Sequence, residues 1–215
     1  MTLKKYIIFS VSIIIGILIF LTLRILYVGY YLPKDNFIPK NIKITLKPPT
    51  GAIVAKISQI DGSVKKESRN DTKFKSLKEP TTLVEGESLA TENGSSEVSF
   101  NNIASLRLGT NTEIDYLNGL PDALVLRQPN GLINYVTSNN IKPFSIRSLG
   151  LLIQFNQQAN ATVSTNSDKG TVRVILNSGE ITLAYSDSKN NTQVKILKNP
   201  QIVIFDNNAS TLTSE

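Results

Sequence analysis

An all-β domain carried behind one N-terminal transmembrane helix is the architecture this sequence predicts, and three observations predict it. Tyr6 to Leu23 is an apolar run without a charge. From about residue 52 onward, apolar and polar residues alternate in short runs, the period-two pattern of half-buried strands. Turn residues punctuate those runs about every eight to twelve positions, and no helical periodicity follows the first run. The strands fit an antiparallel β-sandwich, a jelly-roll-like domain or a short β-solenoid. No fixed-period repeat stands out to favour a long solenoid.

The first run, as a helix at 1.5 Å per residue, covers roughly 27 Å, close to the hydrocarbon thickness. Tilted, it extends to Val28 with Arg24 snorkelling, and Tyr27, Tyr30 and Tyr31 form an interfacial belt. Lys4 and Lys5 would also suit the charged n-region of a cleaved signal peptide. The apolar stretch is too long for an h-region, however, and no A-x-A-like site follows. A buried helix of a soluble core is the other alternative. Cations flank both ends of the run, so the local count does not fix orientation. A short tail with two lysines is easily retained, and long domains translocate largely regardless of charge. The expected order is a cytoplasmic tail over 1–5, the membrane helix over 6–28, a juxtamembrane stalk over 29–51, the β domain over 52–207 and a C-terminal tail over 208–215. The expected location is the cell membrane, single-pass, with the domain outside.

Four prolines between Pro33 and Pro49 make the stalk extended and semi-rigid, with a short strand at Ile42–Leu46. Ile53, Ala55 and Ile57 share one face, and a turn is expected at Asp61-Gly62. Lys65 to Lys78 reads as a basic loop or hairpin, and Thr82 to Leu89 as a strand and turn around Gly86. Ser96 to Leu108 gives a tight hairpin about Asn101-Asn102, because asparagine tolerates positive φ. Further strands are expected at 114–117, 123–126, 132–136, 144–146, 151–155, 161–164, 171–176, 180–185, 192–197 and 201–205. The turns between them are placed at Asn130-Gly131, Lys169-Gly170, Ser178-Gly179 and Lys189-Asn190-Asn191.

Composition narrows the chemistry. Cysteine, histidine and tryptophan are all absent. Disulfides, thiolate nucleophiles, sulfur metal sites and lipidated cysteines are thereby excluded. The commonest general base and the commonest zinc ligand are missing too. Residues 41–80 hold nine cations and four anions, whereas residues 81–120 hold one cation and six anions. The densest basic stretch, Lys65, Lys66, Arg69, Lys73, Lys75 and Lys78, is the candidate contact for an anionic polymer or lipid headgroups. A solvated charged loop is its plainer reading. Nucleic acid would want stacking aromatics among those cations, and only Phe74 is present. Glu85, Glu87, Glu92, Glu97, Glu113 and Asp115 contain carboxylate pairs of the kind glycosidases use. Solvated strand edges explain them more simply. Ser186-Asp187-Ser188-Lys189 fits S-x-x-K, but its lysine sits in a wet turn where it cannot serve as a base.

The order of turns and glycines resembles the FecR-like domain over about residues 54–205. The matching segments are Ile60-Asp61-Gly62-Ser63-Val64, Leu83 to Leu89 around Gly86, Thr91 to Phe100, and Ala104 to Ile114 through Gly109. Asn130-Gly131 before Leu132 and Tyr135, Val172 and Val174, and Ser178 to Leu183 continue the pattern. Asn199-Pro200 stands where that family closes with glycine, and its central glycine-threonine step has only Asn160 to Val163 as a counterpart. The resemblance implies a sensor-like envelope module. In that family a cytoplasmic segment carries the signal to a sigma factor, and residues 1–5 are too few to form one. The implied role is binding, sensing or scaffolding at the envelope, non-catalytic and without cofactor or metal. The alternative is a structural subunit of a surface or secretion assembly. Expected partners are membrane lipid through residues 6–28 and a wall polymer or envelope protein, with no nucleic acid.

Overall fold

The structure is a computed structural model that describes residues 50–215, apart from residues 72, 121, 140–142 and 199, together with Phe20 and Thr22. Those two are helical; apart from them and residues 50–51, the expected tail, membrane helix and stalk lie outside the described residues, as does the strand expected at 42–46. No helix among the described residues is long and apolar enough to cross a membrane.

The described domain is all-β, and every strand pair but one is antiparallel. Three long strands organise it: β1 (Ala55–Glu67), β4 (Ser88–Phe100) and β7 (Ala123–Thr137), with β2 (Lys75–Ser76) and β3 (Thr81–Leu83) lying along β1. β1 and β4 pair along most of their length. The second half of β4 pairs with β5 (Ala104–Leu108), and its first residues pair with β6 (Thr112–Leu120). β7 divides in the same way. Its first half lies between β6 and the parallel β8 (Phe144–Ser148), and its second half between β5 and β10 (Asn160–Asn166). The long strands therefore cross from one layer to the other, and a single hydrogen-bonded sheet folds over into a two-layer sandwich.

From β7 the chain adds hairpins to the two layers in turn. β8 and β9 (Leu151–Phe155) extend one layer; β10 and β11 (Thr171–Ser178) extend the other. β12 (Glu180–Ser186) and β13 (Thr192–Lys198) return to the first, and β14 (Gln201–Asp206) and β15 (Thr211–Ser214) close the second. Residues 208–215, expected as a tail, thus include an edge strand.

Alternation puts one face of each strand inward. Leu126, Ile146, Ile153 and Leu183 line one layer, and Ile133, Val163, Val174 and Val203 line the other, all buried. Aromatic rings bridge the layers. Tyr135 stands 6.0 Å from Phe155 and Tyr185 5.3 Å from Phe205, while Phe100 meets Tyr116 edge-on at 5.2 Å. Each fully buried ring among them contributes about 2–3 kcal/mol by leaving water. A domain without disulfides is stabilised by this core.

Two expected turns are bends instead. Asp61-Gly62 does not reverse the chain: β1 runs through it with a register shift, and Gly62 lies opposite Gly94 of β4. Asn130-Gly131 does not separate two strands either. Gly131, at φ +93°, redirects β7 between layers. Ser178-Gly179 is a corner between β11 and β12, which do not pair with each other. The turns at 101–102, 169–170 and 189–191 do close hairpins.

The incoming chain is fastened at Ile53. Its N–H donates to the Gly119 carbonyl at 2.7 Å, and the Tyr116 hydroxyl donates to its carbonyl at 2.6 Å. Burial holds the Tyr116 phenol well above its ordinary pKa, with the Glu85 charge adding to the effect, and burial alone does so for Tyr135. The native state keeps these protons after the unfolded chain begins to lose them. Their contribution is therefore complete below about pH 10 and is lost as pH rises beyond it, by about 1.4 kcal/mol per pH unit for each tyrosine. Thermal melts between about pH 9 and pH 11 should show that decline, and Tyr116→Phe should remove part of it.

Candidate functional site

The basic stretch lies where β1, β2 and the β3–β4 corner meet, and it faces the acidic block that follows it in sequence. Lys65 pairs with Glu92, whose other oxygen accepts from Ser63 Oγ at 2.9 Å. These two donors, Lys65 first, hold the Glu92 carboxyl below the usual carboxylate range. Lys66 Nζ reaches Glu87 Oε2 at 2.7 Å and the Thr82 carbonyl at 2.7 Å. Glu87 is buried and also accepts from the Val84 N–H at 2.9 Å. Arg69 Nε donates to the Glu85 carbonyl at 2.8 Å, with a guanidinium nitrogen 3.9 Å from Glu85 Oε1. Glu85 Oε2 in turn accepts from the Gly119 N–H at 2.9 Å. Lys75 pairs with Asp71.

Of the six candidate residues, then, Lys65, Lys66, Arg69 and Lys75 are engaged by carboxylates. Lys73 and Lys78 are exposed and have no ion-pair partner among the described residues. Three ion pairs, Lys65–Glu92, Lys66–Glu87 and Arg69–Glu85, join the basic block of residues 41–80 to the acidic block of residues 81–120. This zipper also ties the basic hairpin to the incoming chain, running from Arg69 through Glu85 and Gly119 to Ile53. Lys66→Ala should lower stability by about 1–2 kcal/mol in urea titrations, because it strands the buried Glu87 carboxylate.

The remaining acidic residues have similar roles. Asp115 is buried, accepts from Ser88 Oγ at 2.5 Å and pairs with Arg127 Nε at 2.6 Å. Both of its oxygens are occupied. Glu113, on the same face of β6, is raised above the usual carboxylate range by burial first and the Asp115 charge second. Glu97 pairs with Arg107 across the β4–β5 hairpin, with Arg107 Nε 3.0 Å from Glu97 Oε1. In the S-x-x-K segment, Asp187 accepts from the Lys189 and Asn191 N–H groups and from Gln193 Nε2. The bonds from Asn191 and then Gln193 lower its carboxyl. That is turn chemistry. No group of three or more acidic side chains among the described residues is placed to hold a metal ion.

A buried polar network at the β7 bend has no counterpart in the sequence reading. Gln128 Nε2 donates to the Gly131 carbonyl at 2.9 Å and the Val163 carbonyl at 3.1 Å, and Gln128 Oε1 accepts from Tyr135 OH at 3.0 Å. A glutamine beside proline and Asn-Gly reads as loop. Only the two-layer crossing makes it a core residue.

The fold defined by these strands is shared with solved structures. Two crystal structures of a candidate anti-sigma factor from Parabacteroides distasonis ATCC 8503, at 2.50 and 1.65 Å, match with TM-scores of 0.51 and 0.52. Identity is 12% in each, and each match covers 60% of this chain and 58% of that one, so the likeness is one of fold over part of both proteins. No family model matches the sequence, and no curated protein does.

Proposed function

We propose that this chain is a single-pass, membrane-anchored protein whose FecR-like β domain works outside the cytoplasm as a non-catalytic binding, sensing or scaffolding module. The observation that carries the reading is a convergence. Segments that resemble the FecR-like domain fall on the strands, corners and hairpins of the sandwich, and that fold is also found in a candidate anti-sigma factor. The fates of the acidic residues support the same reading. Glu85, Glu87, Glu92, Glu97 and Asp115 are engaged in ion pairs that join strands and corners.

An anionic wall polymer or headgroup contact narrows to Lys73 and Lys78. Detergent-solubilised full chain should be retained on purified wall material in a salt-sensitive way. The pair Lys73→Glu and Lys78→Glu should weaken retention by about two- to fivefold per site, in keeping with exposed ion pairs. Uniform oligomers without retention would favour the structural-subunit alternative. Cleavage of glycan or peptide by the purified chain would overturn the non-catalytic reading.

A further inference from the structure

The layer built from β7, β8, β9 and β12 ends in β13, which pairs with β12 and with no other strand among the described residues. Its backbone therefore presents a row of donors and acceptors at the sheet edge. Its side chains match an added strand on both faces. On the outer face Val194 is 64% and Ile196 55% exposed, and register aligns Val194 with Ala184 and then Leu152, itself 37% exposed. On the inner face Lys195 lies opposite Leu183 and reaches across the open end of the sandwich to Ser214 Oγ of β15 at 2.8 Å.

Lys195 has no carboxylate partner among the described residues. The nearby acids are taken up elsewhere: Glu180 by Lys198 at 3.3 Å and Glu215 by Arg173 at 2.7 Å. An inward cation on an edge strand works against self-pairing. The two-fold antiparallel register that sets Val194 against Ile196 of a second copy also sets Lys195 against its own copy. A second copy is disfavoured, whereas a strand with an inward acid gains a counterion for Lys195.

Resting on the recognition reading above, we propose that β13 is a docking edge for an extended segment of a protein partner, one that places an acidic side chain against Lys195 between two apolar residues beside Val194 and Ile196. Backbone pairing supplies affinity, and the alternating side chains supply specificity.

The test uses the full chain in detergent micelles and two synthetic peptides that alternate valine with threonine, one carrying glutamate and the other lysine at the central inward position. Amide hydrogen exchange over residues 192–198 should slow with the glutamate peptide, with a preference of about fivefold over the lysine peptide, the weight of one partly screened ion pair. Lys195→Glu should reverse the preference, and Val194→Lys with Ile196→Lys should abolish binding of both. No slowing by either peptide overturns the proposal. So does an edge already protected in the free chain, or self-association lost in the double-lysine variant, since either gives the edge another occupant. An envelope partner still captured by the double-lysine variant leaves the recognition reading standing and removes it from this edge.

Discussion

Gly94→Ala is expected to lower the stability of the domain by about 3 kcal/mol or more, among the largest effects of any single methyl group here. β1 and β4 cross between layers with Gly62 opposite Gly94. A Cβ at Gly94 would stand 2.1 Å from the Asp61 carbonyl oxygen and 2.9 Å from the Ser63 nitrogen. Those atoms belong to backbone held by the ladder, so relief requires separating the two strands at their bend. A suitable control is Gly51→Ala. That glycine has a positive φ of +81°, which Gly94 does not, but nothing lies within 4 Å of its Cβ position. Its cost is the left-handed conformation alone, about 1 kcal/mol. Urea unfolding of the two variants separates close packing from backbone preference. Equal midpoints would contradict the proposed strand crossing.

Gln128→Leu is expected to cost about 3 kcal/mol despite making the core more apolar. The side chain is fully buried at the β7 bend and makes three hydrogen bonds, to carbonyls in both β7 and β10 and from the Tyr135 hydroxyl. Leucine fills most of the space but leaves two carbonyls and a phenol without that partner, in a dry site where their desolvation is uncompensated. Tyr135→Phe alone loses one bond, about 1 kcal/mol. The double variant Gln128→Leu, Tyr135→Phe should be less destabilised than the sum, because the two side chains share that bond. Thermal or urea melts of the cycle provide the measurement, and strict additivity would mean the bond contributes nothing.

Both predictions concern the places where sequence and structure diverge. Alternation located most strands well: 144–146, 151–155, 171–176 and 201–205 all fall inside strands. Glycine and asparagine also marked positions where the backbone must turn. The kind of turn was not legible. Asn101-Asn102 and Gly170 reverse the chain because the flanking strands pair with each other, whereas Gly62, Gly131 and Gly179 bend or cross because theirs do not. That difference depends on partners distant in sequence. β15 is not legible for a related reason: Thr211–Ser214 is short and polar, and β14 makes it a strand.

The candidate site was half legible. The sequence shows the cations as a cluster, but nothing in it shows that the acidic block after them lies against that cluster. Each block has a like-charged surplus, and the β3–β4 corner brings them together as pairs. Lys73, in the β1–β2 connection, and Lys78, in the β2–β3 connection, have no part in that pairing. Gln128 carried no signal in a single sequence, since its burial follows from the layer crossing.

The absence of cysteine from the chain allows a direct test of the proposed membrane-anchored, outward-facing arrangement. One cysteine is introduced by Thr2→Cys in one variant and by Lys189→Cys in the exposed β12–β13 turn in another, and cells with a permeabilised outer barrier receive a membrane-impermeant maleimide. Labelling of Lys189→Cys in intact membranes, with Thr2→Cys labelled only after lysis and both variants sedimenting with the membrane, is the expected result. Labelling of Thr2→Cys alone, or recovery of the chain in the soluble cytosolic fraction, would contradict it.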